Sequence, residues 1–346
     1  MKGLDSVKEY YGKILSTNKD LKTNACCLAD STPKKIREIL KDIHPEVIEK
    51  FYGCGSPIPD DLEGKTVLDL GSGSGRDCYI LSKLVGPSGK VIGVDMTDEQ
   101  IEVAKKYIDY HTDKFGYKKS NVEFVKGYIE DLNEIGIATS SIDVVISNCV
   151  INLSPSKERV FTEIFRVLRP GGELYFSDVF SSRRIPEELV QNSVLMGECL
   201  SGALYTEDFR RLLAKIGCQD SRVLFKSKIT IQNEEIERLV GRIEFSSITI
   251  RAFKLNLEDR CEDYGQFAVY LGTIKDSPNS FVLDDHHLFE TNRPMAVCQN
   301  TAMMVSDTRY GKHFKIYGDT KTHFGLFDCS APATTDNNDC ATGACC

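Results

Sequence analysis

The sequence has no apolar run approaching the ~18 residues of a membrane helix. Its first residues, MKGLDSVKEYYGKIL, space charges along an amphipathic helix and lack the apolar stretch of a secretory signal. A cytoplasmic protein with no membrane contact is expected. No dense Lys/Arg block appears, and the net charge is −8, so no phosphate-neutralising surface for nucleic acid is expected either. Neither a C-x-x-C pair nor a paired Cys/His spacing is present, which argues against a closed structural zinc site. The six histidines show no metal-binding spacing, and His286 and His287 read as surface residues. There is no internal repeat.

What is present is a chain of 346 residues, 41% apolar and 27% charged, close to globular averages and longer than one ordinary domain. Its 13 cysteines are an odd number spread through a large chain, unlike the dense framework of a small secreted domain. In a reducing compartment most are thiols, and some pack as small hydrophobes.

From Thr66 onward, short β-branched runs alternate with amphipathic helical stretches, the pattern of a parallel sheet covered by helices. Strands are predicted at 66–71, 90–96, 122–128, 142–150, 172–180 and 222–231. Helices such as DEQIEVAKKYIDYH and KERVFTEIFRVLR lie between them, the second stopped by Pro170, Gly171 and Gly172. The fold class is α/β, a doubly wound Rossmann-like sheet. Residues 1–63 form an N-terminal helical segment, with Thr32 and Pro33 starting the helix PKKIREILKDI. The core domain spans 64–255, a small α+β domain 256–330, and the polar tail 331–346 is expected to be disordered.

The sharpest motif is VLDLGSGSGRD, where a strand ends at Asp69 and glycines follow at 71, 73 and 75 before a helix. Asp95 ends the next strand, placed to accept hydrogen bonds from a ribose. A dinucleotide fingerprint would need glycine at 76, where this chain has Arg76. The observed D-x-G-x-G-x-G resembles motif I of the class I methyltransferases, which bind S-adenosylmethionine. That resemblance implies that Asp69, Gly71, Ser72, Gly73, Arg76 and Asp77 surround the amino-acid end of the cofactor. Asp95 would take the ribose, Met96 and Ile129 would flank the adenine, Glu130 would hydrogen-bond it, and Asn148 would line the floor.

The fold leaves the methyl acceptor open, and cysteine placement narrows it. Cys149 falls in SNCVINL at the carboxyl end of the fourth strand, Cys199 in GECLSGALY after the fifth, and Cys54 in the Gly/Pro-rich turn FYGCGSPIP. Thiolates from three segments suit a soft centre, whereas magnesium prefers carboxylates. Trivalent arsenic takes three sulfurs as a pyramid and keeps a lone pair that can meet an electrophilic methyl group. Cys78 and Cys218 read as structural, and Cys261, Cys298 and Cys329 have no role in this reading.

With DLKTNAC, IREIL, FYGCG, LDLGSGSGRDCY, SNCVINL, GGELYFSDV and GECLSGALY together, residues 1–300 resemble the arsenite methyltransferases. The resemblance implies that Cys54, Cys149 and Cys199 hold arsenic and that Cys26 pairs with Cys54 in a disulfide redox cycle. It implies mono- and dimethylation of arsenite and methylarsenite, arriving as thiol conjugates, with glutathione or thioredoxin restoring the thiols in a monomeric detoxification enzyme. The tail thiols Cys340, Cys345 and Cys346 are passive or capture arsenic. The alternatives are methyl transfer to an organic small molecule and non-catalytic thiol-based sequestration of arsenic.

Overall fold

The computed structural model describes residues 33–51, 57–190, 192, 195, 200–231 and 233–329. The chain divides into two compact units, Met1–Lys254 and Leu255–Cys346. Thr32, Cys26, Cys54, Cys199 and the tail cysteines lie outside the described residues.

The first unit opens with helices α1 (Lys34–Leu40) and α2 (Pro45–Glu49). Then β1 (Thr66–Leu70), α3 (Arg76–Val85), β2 (Lys90–Asp95), α4 (Asp98–Lys106), α5 (Ile108–Phe115), β3 (Val122–Lys126) and β4 (Ile142–Asn148) follow. Next come α6 (Lys157–Val167), β5 (Leu168–Ser181), the short α7 (Glu187–Val190), β6 (Leu204–Tyr205) and α8 (Thr206–Lys215). The unit ends with β7 (Ser221–Lys228), α9 (Glu234–Val240) and β8 (Phe245–Phe253). The sheet order is β3-β2-β1-β4-β5-β8-β7, with β6 beside β5. Strands β3 to β5 pair in parallel, and β8 runs antiparallel to both β5 and β7.

Strand alternation sorts side chains onto two faces. Leu68 and Leu70 of β1 pack with Phe161 and Ile164 of α6 and Phe209 of α8. Val67 of the same strand packs with Ile36 and Ile39 of α1 and Tyr79 and Ile80 of α3 on the opposite face. Helices therefore cover both faces, which parallel strands require because each is apolar on both sides. Across β5 and β8 a buried ion pair joins Arg251 Nε to Glu173 Oε1 at 2.6 Å.

The structure differs from the expected element boundaries at two places. The stretch 98–111 is two helices, α4 and α5, broken at Tyr107. Leu168 to Gly172 joins β5, because Ile142 of β4 lies opposite Leu168 and the pairing resumes after a bulge at Val144 and Glu173.

The second unit is β-rich. Strands β9 (Glu262–Asp263), β10 (Gln266–Tyr270), β11 (Ser280–Val282), β12 (Leu288–Glu290) and β13 (Pro294–Val297) precede α10 (Gln299–Ser306), β14 (Phe314–Tyr317) and β15 (Gly325–Leu326). A three-stranded antiparallel sheet, β13-β10-β14, stands beside two two-stranded pairs, β11-β12 and β15-β9. Tyr270, Phe281, Phe289 and Phe314 pack ring to ring in its core. His287 corrects the surface reading: it is buried at 6% exposure, and Asp284 holds its Nδ1 at 2.7 Å, while His286 is exposed.

Candidate active site

Strands β1 and β4 are parallel neighbours, with Leu70 opposite Ser147. The loop after β1 and the turn after β4 therefore leave the sheet on the same rim, where the strand order reverses and open α/β sheets bind ligands. Gly71, Gly73 and Gly75 all have positive φ, +71°, +51° and +87°. A Cβ on Gly71 would lie 2.4 Å from Val150 Cγ2, and one on Gly75 would lie 2.7 Å from the Phe124 ring. Among the described residues, a Cβ on Gly73 would meet only Gln100 Oε1, at 3.9 Å. The outer glycines serve close packing, whereas the middle one faces room.

Three carboxylates gather at this loop. Asp69 and Asp77 are buried, and each oxygen of Asp95 accepts one backbone N–H, from Gly73 at 2.9 Å and Thr97 at 2.8 Å. A carboxylate oxygen has two lone pairs, so Asp95 keeps acceptor capacity for hydroxyls. The Cys78 thiol donates to Asp69 at 3.2 Å. Arg76 donates to Asp77 Oδ1 through Nε and Nη2, and its guanidinium lies 3.3 Å over the Phe51 ring. Asn148 Nδ2 donates to the other Asp77 oxygen at 3.1 Å.

Burial, reinforced by the charge of Asp77, pushes Asp69 up to about 8. Burial also raises Asp95 against the pull of the Thr97 and Gly73 N–H groups. The electrostatics thus oppose a pyrophosphate and favour a cationic ligand. Ser72 Oγ and Gln100 Oε1 are buried with no hydrogen-bond partner among the described residues. Such groups cost free energy unless a ligand or water meets them. The donor set fits the ammonium and sulfonium of S-adenosylmethionine.

The residues expected around an adenine are placed as follows. Met96 follows Asp95 and is half-buried, Ile129 is buried, and Glu130 accepts a hydrogen bond from the Ser154 hydroxyl.

Cys149 directly follows Asn148, with φ +56° and 5% exposure, and its N–H donates to Ser177 O at 2.9 Å. Its sulfur is disulfide-bonded. A disulfide sulfur becomes a thiolate ligand only after reduction. The disulfide expected from the resemblance, Cys26 with Cys54, lies outside the described residues. Two neighbouring contacts fix the Cys149 turn. Val150 packs on Gly71, and Gly202 fits so closely that a Cβ there would lie 2.0 Å from Asn152 O. Asp178 anchors the same turn, accepting from Asn152 N at 3.1 Å and Asn152 Nδ2 at 2.7 Å, and burial pushes it up to about 7.

Gln100, Asp178 and Gly202 escaped the sequence reading. Gln100 sits one turn into α4, where its short-range pattern is that of any helix residue. Asp178 lies in the quoted GGELYFSDV, inside β5 and opposite Ile248, where the sequence reads as one more strand residue.

Residues 61–217 match the family described as methyltransferase domain, and residues 265–346 the family described as arsenite methyltransferase C-terminal domain. An arsenite methyltransferase from Aquipseudomonas alcaligenes is 50% identical over 99% of this chain and 99% of its own length. This chain belongs to the arsenite methyltransferase family. The human arsenite methyltransferase is 47% identical over 90% of this chain and 82% of its own. A crystal structure of an arsenic(III) S-adenosylmethionine methyltransferase from Chlamydomonas reinhardtii superposes with a TM-score of 0.84 at 52% identity, covering 86% of this chain and 100% of that one. Membership carries the class I methyltransferase fold and accounts for the strand order of the first unit as well as the β-rich second unit of this arsenite methyltransferase family member.

Proposed function

We propose that this chain is an S-adenosylmethionine-dependent enzyme that methylates trivalent arsenic held on Cys54, Cys149 and Cys199. The observation that carries the reading is the packing around the Cys149 turn. Val150 seats on Gly71 of the cofactor loop, and Gly202, three residues after Cys199, seats on Asn152, three residues after Cys149. One turn is thereby clamped between the glycine loop and the segment that follows a second cysteine. A soft ion on Cys149 would be held beside the glycine loop.

S-adenosylmethionine supplies, when bound, a methyl group on a sulfonium. Asp69, Asp77 and Asp95 would hold the cationic and hydroxyl groups, with Ser72, Gly73, Arg76 and Asn148 around the amino-acid end and Met96, Ile129 and Glu130 around the adenine. Cysteine thiolates exchange onto arsenic from its thiol conjugates, and deprotonated sulfur is required for that exchange. Methyl transfer onto the arsenic lone pair would need no general base; it would leave pentavalent arsenic, which two of the chain's thiolates would return to the trivalent state by closing a disulfide. The chain's contribution is mainly alignment. Asp178 and Asn152 hold the Cys149 turn, and Cys26 exchanges disulfides with Cys54. A thiol reductant, glutathione or thioredoxin, returns Cys149 and its companions to thiols for methylarsenite and the next round. The protein acts as a monomer in the cytoplasm, in arsenic detoxification.

The test is purified protein with arsenite, S-adenosylmethionine and a thiol reductant, with products separated by chromatography under arsenic detection. Methylated arsenicals that disappear in Cys149→Ser support the reading. Arsenite binding without turnover would establish sequestration instead, and full activity in Cys149→Ser would remove that thiolate from the mechanism.

A further inference from the structure

The second unit carries a thiol cluster that the activity above does not use. The sulfurs of Cys261, Cys298 and Cys329 all lie within 4.8 Å of one another. None of the three is in a disulfide. They come from three separate places in the chain. Cys261 immediately precedes β9, Cys298 precedes α10, and Cys329 follows β15.

Ordinary folding forces hold these places together. The β9-β15 pairing sets Gly325 opposite Asp263 and Leu326 opposite Glu262, and Phe327 N–H continues the ladder to Cys261 O at 2.7 Å. Cys329, two residues beyond Phe327, is thereby carried near Cys261. Asn300, at the start of α10, donates to Glu258 O at 2.8 Å and accepts from Glu258 N–H at 2.9 Å, which ties the helix start to the segment leading into Cys261. Cys298 is wholly buried at the N-cap of α10, where its sulfur accepts the Thr301 N–H at 3.4 Å and meets Thr301 Oγ1 at 3.2 Å. A helix start with an N–H aimed at sulfur stabilises thiolate charge. Cys261 and Cys329 are half-buried, which leaves the cluster reachable from solvent.

The chemistry of the group selects its ligand. Three sulfurs without a carboxylate exclude magnesium and calcium and call for a soft ion. Structural zinc takes four ligands, and among the described residues no fourth His, Cys, Asp or Glu joins the three. Three sulfurs bound to one ion at about 2.3 Å stand roughly 3.4–3.8 Å apart, a closure of about 1 Å from the 4.8 Å limit. We infer that Cys261, Cys298 and Cys329 form a second binding site for trivalent arsenic, lying wholly within the C-terminal unit. The choice of arsenic among soft three-coordinate ions rests on the proposed methylation activity. Binding exchanges three As–O bonds for three As–S bonds: arsenous acid and three thiols give the tris-thiolate and three waters, with no change of oxidation state. Arsenic there crosslinks the β9 strand, the α10 start and the chain after β15, so it stabilises the unit as well as retaining arsenic.

The full chain decides the matter by two measurements. In a background with Cys26, Cys27, Cys54, Cys149, Cys199, Cys340, Cys345 and Cys346 replaced by serine, arsenite should still bind at one equivalent per chain, with three sulfurs about arsenic by X-ray absorption. Adding Cys261→Ser and Cys329→Ser should abolish that equivalent. In the unaltered chain, arsenite at about 100 times its dissociation constant should slow alkylation of Cys261, Cys298 and Cys329 together about a hundredfold. This readout needs no substitution and stands if the serine variants do not fold. Unchanged alkylation, or retention of the equivalent without Cys261 and Cys329, overturns the site. One zinc per chain in purified protein, lost with Cys261→Ser and Cys329→Ser, overturns the arsenic assignment. Methylated arsenicals from the unaltered chain report separately on the proposed activity, so its failure is distinguishable from the failure of this site.

Discussion

Cofactor affinity should rise with pH up to about 8, because Asp69 must lose a proton to meet a cation. Burial and the charge of Asp77 hold this carboxyl at about 8, against an ordinary 3.8. The folded chain without cofactor therefore keeps a proton that the unfolded chain has released, and its stability falls as pH rises through that window. A sulfonium or ammonium beside Asp69 favours the carboxylate and returns its value toward the ordinary one. Binding then releases a proton wherever the pH lies below about 8, and the dissociation constant falls about tenfold per pH unit. Between pH 6 and 8 the gain is about fiftyfold, or ~2.3 kcal/mol, because the slope flattens as the pH nears 8. Asp95, raised by the same burial, contributes with the same sign. The assay is isothermal titration with S-adenosylmethionine across this range in buffers of differing ionisation enthalpy, which counts released protons directly. Asp69→Asn should bind more weakly and lose most of the slope. A dissociation constant that is flat from pH 6 to 8 with no proton release would refute the electrostatic account of the loop.

Gly71→Ala places a Cβ 2.4 Å from Val150 Cγ2 at φ +71°, so left-handed strain and overpacking together should cost about 2–5 kcal/mol by thermal melting. Adding Val150→Ala should recover the packing part but not the strain. Gly202→Ala drives a Cβ to within 2.0 Å of Asn152 O; it should lower kcat about tenfold or more through the displaced Cys149 turn, while cofactor affinity by titration stays near that of the unaltered chain. Glu173→Gln leaves Arg251 charged in a site where its own side chain is 2% exposed, which should cost about 3–5 kcal/mol and lower the melting temperature by roughly 10 °C. Replacing both residues with apolar ones should cost less than Glu173→Gln alone.

The sheet was legible because its strands are short β-branched runs and its cofactor loop is local: a strand end, three glycines and a helix lie within a dozen residues of VLDLGSGSGRD. Asp95 was legible as the end of the second strand, Lys90–Asp95. The α4-α5 break at Tyr107 was not, because both halves keep helical patterning and no glycine or proline marks the break. The start of β5 was hidden by a Pro-Gly-Gly stretch that reads as a stop, although pairing with β4 draws it into the sheet. His287 read as surface because polarity says nothing about a partner such as Asp284, which compensates its burial.

By itself the sequence determined what periodicity and local motif can carry: an α/β core, a glycine loop that accepts a cationic nucleoside cofactor, and cysteines at positions fit for a soft acceptor. Arg76 in place of a glycine separated that cofactor from a dinucleotide without any coordinates. Tertiary structure alone decided which distant residues meet. The carboxylates of Asp69, Asp77 and Asp95 become an electronegative pocket only when β1 and β2 align, and Gly202 reaches Asn152 only after the chain has crossed β5. Cys261, Cys298 and Cys329 show the limit most plainly. Their separations of 37 and 31 positions carry no spacing rule, and their convergence is set by a two-residue strand pairing and one helix start. Local patterns are written in neighbouring residues, whereas a cluster assembled from three segments is specified only by the packing that brings them together.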